Sequence, residues 1–226
     1  MTITSLGHSA FHIHTNNTDI LIDPMISGNP MASNINASGL KADYILISHG
    51  HSDHTGDAQT IAAKTGATII SNFEIVSWFA QFGCKGHGMN HGGKHTFPFG
   101  TVKYVNAIHS STLPDGTSGG NAGGFVVWNE ETCFYFAGDT ALSMDMKLIP
   151  LTCPPLSFAI LPIGDNFTMG YEDACIAASF IECDTIIGCH YNTFPAIQID
   201  TEKAITAFQK AGKKLIIPDP GQIIKL

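Results

Sequence analysis

The chain has 226 residues, 44% of them hydrophobic and 13% charged, which is enough apolar material for one sizeable core and a length that suits one domain over 1–226. The formal charge is −8 and all 11 basic residues are lysines; without arginine to grip phosphates bidentately, an acidic chain argues against a nucleic-acid partner. No run of about 18 apolar residues occurs, so no membrane span is expected, and the opening MTITSLGHSAFHIHTNN lacks the basic start and apolar stretch of a signal peptide.

Taken in chain order, short runs rich in Ile, Val, Phe and Tyr alternate with Gly, Asn, Asp and Pro turn signals. The runs expected as strands are FHIHT (11–15), DILID (19–23), DYILIS (43–48), ATIIS (67–71), VKYVNAI (102–108), GFVVWN (124–129), CFYFAG (133–138), SFAILPI (157–163), DTIIGC (184–189) and KLIIP (214–218). GFVVWNEETCFYFAG reads as a hairpin. Helices are expected over 55–66, ending at Gly66, and over 72–83, ending at Gly83, where glycine suits the residue after a helix end. A third, over 171–182, opens with Glu172 and Asp173 at the positive end of its dipole. A fourth, over 200–212, carries Ala204, Ile205 and Phe208 at helical spacing. Strands that begin as hairpins and later alternate with helices predict an α/β protein of two mixed sheets with helices outside. No internal repeat is visible, and 84–101 reads as the least regular region. The six cysteines form no C-x-x-C pair and several sit in apolar runs, as free buried thiols do in a reducing cytoplasm.

The stretch SHGHSDHTGD places His49, His51, Asp53 and His54 within six positions, directly after the apolar run DYILIS. Ligand-competent side chains at the carboxyl end of a buried strand stand where an open α/β site forms. His49 and His51 are two apart, so extended backbone points both the same way. Asp53 and His54 lie where turn backbone enters a helix and aims both at a neighbouring point. Three imidazoles so close oppose one another's protonation unless a metal holds them neutral. Neutral imidazole and carboxylate suit Zn²⁺, and also Fe or Mn. Further ligands are expected at other strand ends, where His109, Asp139 and His190 each follow an apolar run.

HGHSDH (49–54), His109, Asp139 and His190, in that order, resemble the metallo-β-lactamase superfamily. The resemblance implies a four-layer αββα sandwich of two mixed β-sheets flanked by helices, with metals at one edge of the sheets. It implies that His49, His51 and His109 hold one ion, that Asp53, His54 and His190 hold a second, and that Asp139 bridges them. LGHSAF (6–11), LIDP (21–24), GDTALSMDMKL (138–148), PIGDNFTMG (162–170) and HYNTFP (190–195) are similar to a family of metal-dependent hydrolases related to L-ascorbate-6-phosphate lactonases. MNHGG (89–93) matches that family's Asn-x-Gly-Gly, which makes His91 a minor ligand candidate.

The expected reaction is attack of metal-activated water on a lactone or phosphoester of a small molecule, with two divalent ions per chain, Zn foremost. Asp53 is assigned a second role in orienting the hydroxide, and His8 a catalytic one, in substrate contact or proton donation. Asp23, at the end of LIDP, is expected to orient a ligand imidazole. Asn166, Thr168, Asn192 and Thr193 are candidates for lining the pocket. His12 and His14 alternate with Phe11 and Ile13 and should face outward. His87, His91 and His95 stand four apart, but the glycines among them argue against a helix and for a surface loop. No G-x-S-x-G occurs and GNAGG lacks a Walker lysine, against serine hydrolysis and nucleotide binding. The competing functions are a nuclease of the same superfamily, a mononuclear iron oxygenase on a subset of these ligands, and a metal-bound scaffold; a homo-oligomer is compatible with all of them.

Overall fold

The apolar runs pair into two sheets because each presents two apolar faces and needs cover on both. The computed structural model describes residues 1–226. Strands β1 (Thr2–Gly7), β2 (Ala10–Thr15), β3 (Thr18–Ile22), β4 (Tyr44–Leu46), β5 (Thr68–Asn72) and β6 (Lys85–Met89) lie in the first sheet. Strands β7 (Lys94–Phe97), β8 (Gly100–Asn106), β9 (Gly123–Trp128), β10 (Cys133–Phe136), β11 (Phe158–Pro162), β12 (Thr185–Cys189) and β13 (Lys214–Ile216) form the second, and β14 (Ile223–Ile224) returns to the first. The orders are β14-β1-β2-β3-β4-β5-β6 and β13-β12-β11-β10-β9-β8-β7. β1 to β3 run antiparallel, and β3 to β6 are parallel. β7 to β10 likewise run antiparallel, and β10 to β13 are parallel. The two halves thus share one plan, a meander followed by parallel strands, that leaves no repeat in the residues.

Alternation along each strand builds the layers. Ile20, Ile22, Leu46 and Ile70 of the first sheet meet Phe125, Phe134, Phe136, Ile160 and Ile187 of the second in the core between the sheets. The alternate residues Leu21, Ile45 and Ile69 face outward onto Ala58, Ile61 and Ala62 of helix α2 (Ala58–Thr65), which follows the short α1 (Ser52–Thr55), and onto Ile75 and Phe79 of α3 (Phe73–Ala80). On the other side Tyr135, Ala159 and Ile186 pack under α4 (Ile149–Thr152), α5 (Tyr171–Phe180) and α6 (Thr201–Lys210), through Ile149, Ala177 and Phe208. The result is the expected αββα sandwich. No helix is long and apolar enough to cross a membrane.

Two expectations need correction, and β1, β14 and α4 were not foreseen. The region over 84–101 contains β6 and β7, edge strands of opposite sheets, where His87 and His95 pack ring to ring at 4.2 Å. Its glycines masked the strands, and Gly86 is required because a Cβ there would strike the Val76 side chain on α3. The helix expected over 55–66 starts earlier, at Ser52, and breaks at Gly56 and Asp57. There the Asp57 carboxylate accepts from the Ile26 and Ser27 amides, at 2.6 and 2.8 Å, tying the segment to the loop after β3. β1 and β14 pair with each other at the sheet edge, a contact between chain ends that no local pattern announces. Finally, α4 is too short to leave a periodic signal.

Candidate metal centre

β1, β3 and β4 point the same way, as do β8, β10 and β12. Each of these six strands ends in a residue named from the sequence: His8, Asp23, His49, His109, Asp139 and His190, respectively, within a few positions. Parallel direction therefore carries them to one edge of the sandwich. Three of them, His8, Asp23 and His190, hold left-handed backbone, with φ of 54°, 41° and 53°. Non-glycine residues there carry strain, which collects where side-chain placement outranks local comfort.

Two groups form. His49, His51 and His109 offer donor atoms within 4.8 Å of one another, and so do His8, Asp53, His54 and His190. His51 is the extended residue before α1, with φ −63° and ψ 150°, so its Nδ1 meets His49 Nε2 at 3.0 Å. Asp53 and His54 are neighbours on α1, with Oδ2 and Nε2 3.7 Å apart. Asp139 lies between the groups. Its Oδ2 is 2.9 Å from His190 Nε2, 3.3 Å from His54 Nε2, 3.6 Å from His109 Nε2 and 3.9 Å from His49 Nε2.

Hydrogen bonds behind the imidazoles fix which nitrogen carries the proton. Asp23 is wholly buried; it accepts from the Ser48 amide at 2.8 Å, from the Ser48 hydroxyl at 2.5 Å and from His54 Nδ1 at 2.7 Å. Because the Ser48 hydroxyl donates to Asp23, it accepts from His49 Nδ1 at 3.0 Å. One carboxylate thus orients a histidine of each group, and both Nε2 atoms face the centre. Asp23 was legible as an orienting acid, but the Ser48 relay was not, since a serine before a histidine carries no signal of its own. Ser111 accepts from the Gly50 amide at 3.0 Å, and Thr140 Oγ1 accepts from the Ile108 amide at 3.0 Å, locking the loops that carry His51 and His109. The His190 amide donates to the His8 carbonyl at 3.0 Å.

Two buried polar atoms at the centre, His54 Nε2 and Asp139 Oδ1, have no hydrogen-bond partner, and neither has His190 Nδ1 on the side of its ring away from Asp139. Buried polar atoms without partners are costly. Lone pairs of imidazole and carboxylate converging on shared points are the donor set of a borderline divalent cation. The electrostatics point the same way. Burial alone would lower His54, but Asp139 and Asp23 outweigh it and hold that imidazole well above its usual range. Burial likewise opposes His190, yet Asp139 and Asp53 raise it to about 9. Burial would raise Asp139, but His54 and His190 hold it well below the carboxylate range. The carboxylates demand positive charge at this spot, and the residues fit a metal ion that supplies it. His49 and His109, by contrast, are lowered chiefly by burial, which favours the neutral form that binds metal.

Among the residues expected to line a pocket, Thr193 touches the cluster, with Oγ1 2.9 Å from His8 Nδ1. Asn192 turns away and accepts from the Ile199 amide at 2.7 Å. Asn166 is exposed, and the Thr168 hydroxyl donates to the Met169 carbonyl. Asn166 and Asn192 have φ of 58° and 55°, a conformation asparagine tolerates, which accounts for them in those turns. His91 lies outside the two groups, with Nε2 2.9 Å from the Ala122 carbonyl. His12 and His14 flank Asp19, each 2.9 Å from its Oδ1, on the outer side of β2.

A family described as a beta-lactamase superfamily domain matches residues 2–190. The chain is 54% identical to a UPF0173 metal-dependent hydrolase of Flavobacterium johnsoniae over 226 residues, the whole of both chains. It is 33% identical to the solved structure of Igni18, a metallo hydrolase of the archaeon Ignicoccus hospitalis, with a TM-score of 0.90, covering 99% of this chain and 97% of that one. An isothiocyanate hydrolase from Delia radicum gut bacteria shares the fold, with a TM-score of 0.80 at 20% identity over 100% of this chain and 99% of that one. With its ligand-bearing strand ends gathered on one edge of an αββα sandwich, the chain belongs to the metal-dependent hydrolases of the metallo-β-lactamase superfamily.

Proposed function

We propose that this hydrolase uses two divalent ions, zinc foremost with manganese or iron as alternatives, to cleave an ester-like bond of a small molecule. His49, His51 and His109 would hold one ion and Asp53, His54 and His190 the other, with Asp139 as the carboxylate shared between them. The observation that carries this reading is the Asp139 Oδ2 atom, within 2.9 to 3.9 Å of four imidazole nitrogens drawn from both groups. Bound ions supply a water that is hydroxide at neutral pH and a Lewis acid for the oxygen under attack.

The chain's own groups do the rest. Asp23 and Ser48 hold the imidazoles so that no reorientation is needed. The Asp53 side chain is 28% exposed, whereas those of His54 and Asp139 are 0% and 3% exposed, so Asp53 is the carboxylate that meets the substrate side. Its second role is to accept a hydrogen bond there and orient the attacking hydroxide. A cleft of about 290 Å³ opens beside Asp53, lined by Met25, Ser27, Gly28, Ser52 and Phe194 among others, a size for a small molecule. None of its eight lining residues is a lysine, and the chain has no arginine, which favours a neutral ester or lactone over a phosphoester. Six free cysteines support residence in the cytoplasm.

The test is a screen of lactones, phosphodiesters and thioesters with metal-loaded enzyme, alongside His51→Ala and Asp53→Ala. Metal-dependent turnover that both substitutions abolish is expected; full activity in either variant ends the reading.

A further inference from the structure

We propose that His8 is a ligand of the second ion, beside Asp53, His54 and His190, rather than a proton donor to substrate. The inference rests on the two-ion reading above and adds to it a residue and a metal preference.

His8 is buried at the end of β1, with its ring against His190 at 4.3 Å and Phe194 at 5.4 Å. The Thr193 hydroxyl donates to the Tyr191 carbonyl at 3.3 Å, so towards His8 Nδ1, at 2.9 Å, it accepts. Nδ1 therefore carries the ring proton, and Nε2 presents a lone pair. That lone pair faces Asp53 Oδ2 at 3.2 Å. Two acceptors held at that distance repel unless a cation lies between them. His54 shows the same arrangement, with Nδ1 donating to Asp23 and Nε2 facing Asp53 and Asp139. Threonine plays behind His8 the part that Asp23 plays behind His54. The donor atoms of His8, Asp53, His54 and His190 all lie within 4.8 Å of one another, and the left-handed backbone at His8, φ 54°, is the strain that puts its ring there.

With Asp139, the second ion would have five protein donors, three nitrogens and two oxygens, which leaves the sixth position of an octahedron to water. The first has three imidazoles and Asp139. Four donors suit tetrahedral zinc, whereas six nitrogen and oxygen donors suit Mn²⁺ or Fe²⁺. The two positions should therefore differ in the metal they retain.

The experiment titrates metal-free protein with Mn²⁺ and with Zn²⁺, reading stoichiometry by mass spectrometry and counting imidazoles on Mn²⁺ by pulsed electron paramagnetic resonance. The variants are His8→Asn, since asparagine tolerates the left-handed backbone, and Thr193→Val, which removes the acceptor behind His8. His8→Asn should bind its first ion unchanged, weaken the second Mn²⁺ by about a hundredfold and lose one imidazole from the spectrum, and Thr193→Val should weaken the second ion roughly tenfold. An unchanged second affinity and imidazole count in His8→Asn, with circular dichroism reporting a native fold, overturns the assignment and leaves the two-ion reading standing. A wild-type chain that takes up fewer than two ions overturns both.

Discussion

Asp23 touches the Ser48 amide, the Ser48 hydroxyl and His54, and through Ser48 it reaches His49. Asp23→Asn keeps the shape but replaces one acceptor oxygen with a donor, so it turns a proton towards groups that already donate. Metal affinity should fall about 10–100-fold, measured by competition with a chromophoric chelator; unchanged affinity would remove Asp23 from the centre. A second residue-scale outcome concerns pH. In metal-free protein Asp139 and Asp53 overcome burial and hold His190 at about 9, above its ordinary 6.5. A raised pKa gives stability that is full below about 6.5 and lost as pH rises through about 9. An entering ion must displace the same proton, so its affinity rises over that interval. Calorimetry should show the metal-free melting temperature falling from pH 6.5 to 9 while the gain from added Mn²⁺ grows. A metal-induced gain that stays flat across the interval would sink this linkage. His49, His51, Asp53 and His54 were legible because they crowd one turn. His109, Asp139 and His190 were legible as polar residues ending apolar runs, and only with that turn to refer to. Ser48 and the tautomers it sets were not legible, because a hydrogen bond's direction depends on partners remote in sequence.

Elements deliver these residues through their ends. β10 hands over to Asp139 by way of Gly138, with φ of 64°, where a Cβ would meet the Gly123 carbonyl at 2.7 Å and the Ser48 Cβ at 2.8 Å. Gly138→Ala should cost at least about 1–2 kcal/mol from the left-handed backbone alone and should displace both Asp139 and Ser48, so bound metal falls with the melting temperature. Gly83→Ala is the control: its φ is 76° but nothing lies within 4 Å, so it should carry the backbone cost and keep its metal, measured by mass spectrometry of both proteins. Equal metal content in the two would show that Gly138 does not serve the site. The long apolar strands and the helices ending near Gly66 and Gly83 were readable from periodicity and turn chemistry. β6 and β7 were not, because KGHGM and KHTF lie at exposed sheet edges and need little apolar content.

At the scale of the whole molecule, the centre joins the two sheets at one edge of the sandwich. His49, His51, Asp53 and His54 follow the first sheet's β4, while His109, Asp139 and His190 follow strands of the second. Bound metal would therefore hold the sheets together at one edge, and chelation should destabilise the whole fold rather than a loop. At a thousandfold excess over Kd an ion adds about 4 kcal/mol, or roughly 10 °C in a chain of this size. Scanning calorimetry with and without chelator should show one cooperative transition that shifts by that order; an unshifted midpoint would mean the edge is not bridged. The sequence by itself determined the strand-rich α/β class, the four-residue metal turn and the superfamily, because those signals are local: periodicity, turn residues and a short motif. Tertiary structure alone decided that two groups of donors meet at Asp139, that Thr193 and Ser48 stand behind His8 and His49, and that Asn166 and Asn192 hold left-handed turn backbone. Each depends on which strand ends come together in space, and that is settled by sheet order and direction across more than a hundred residues of chain.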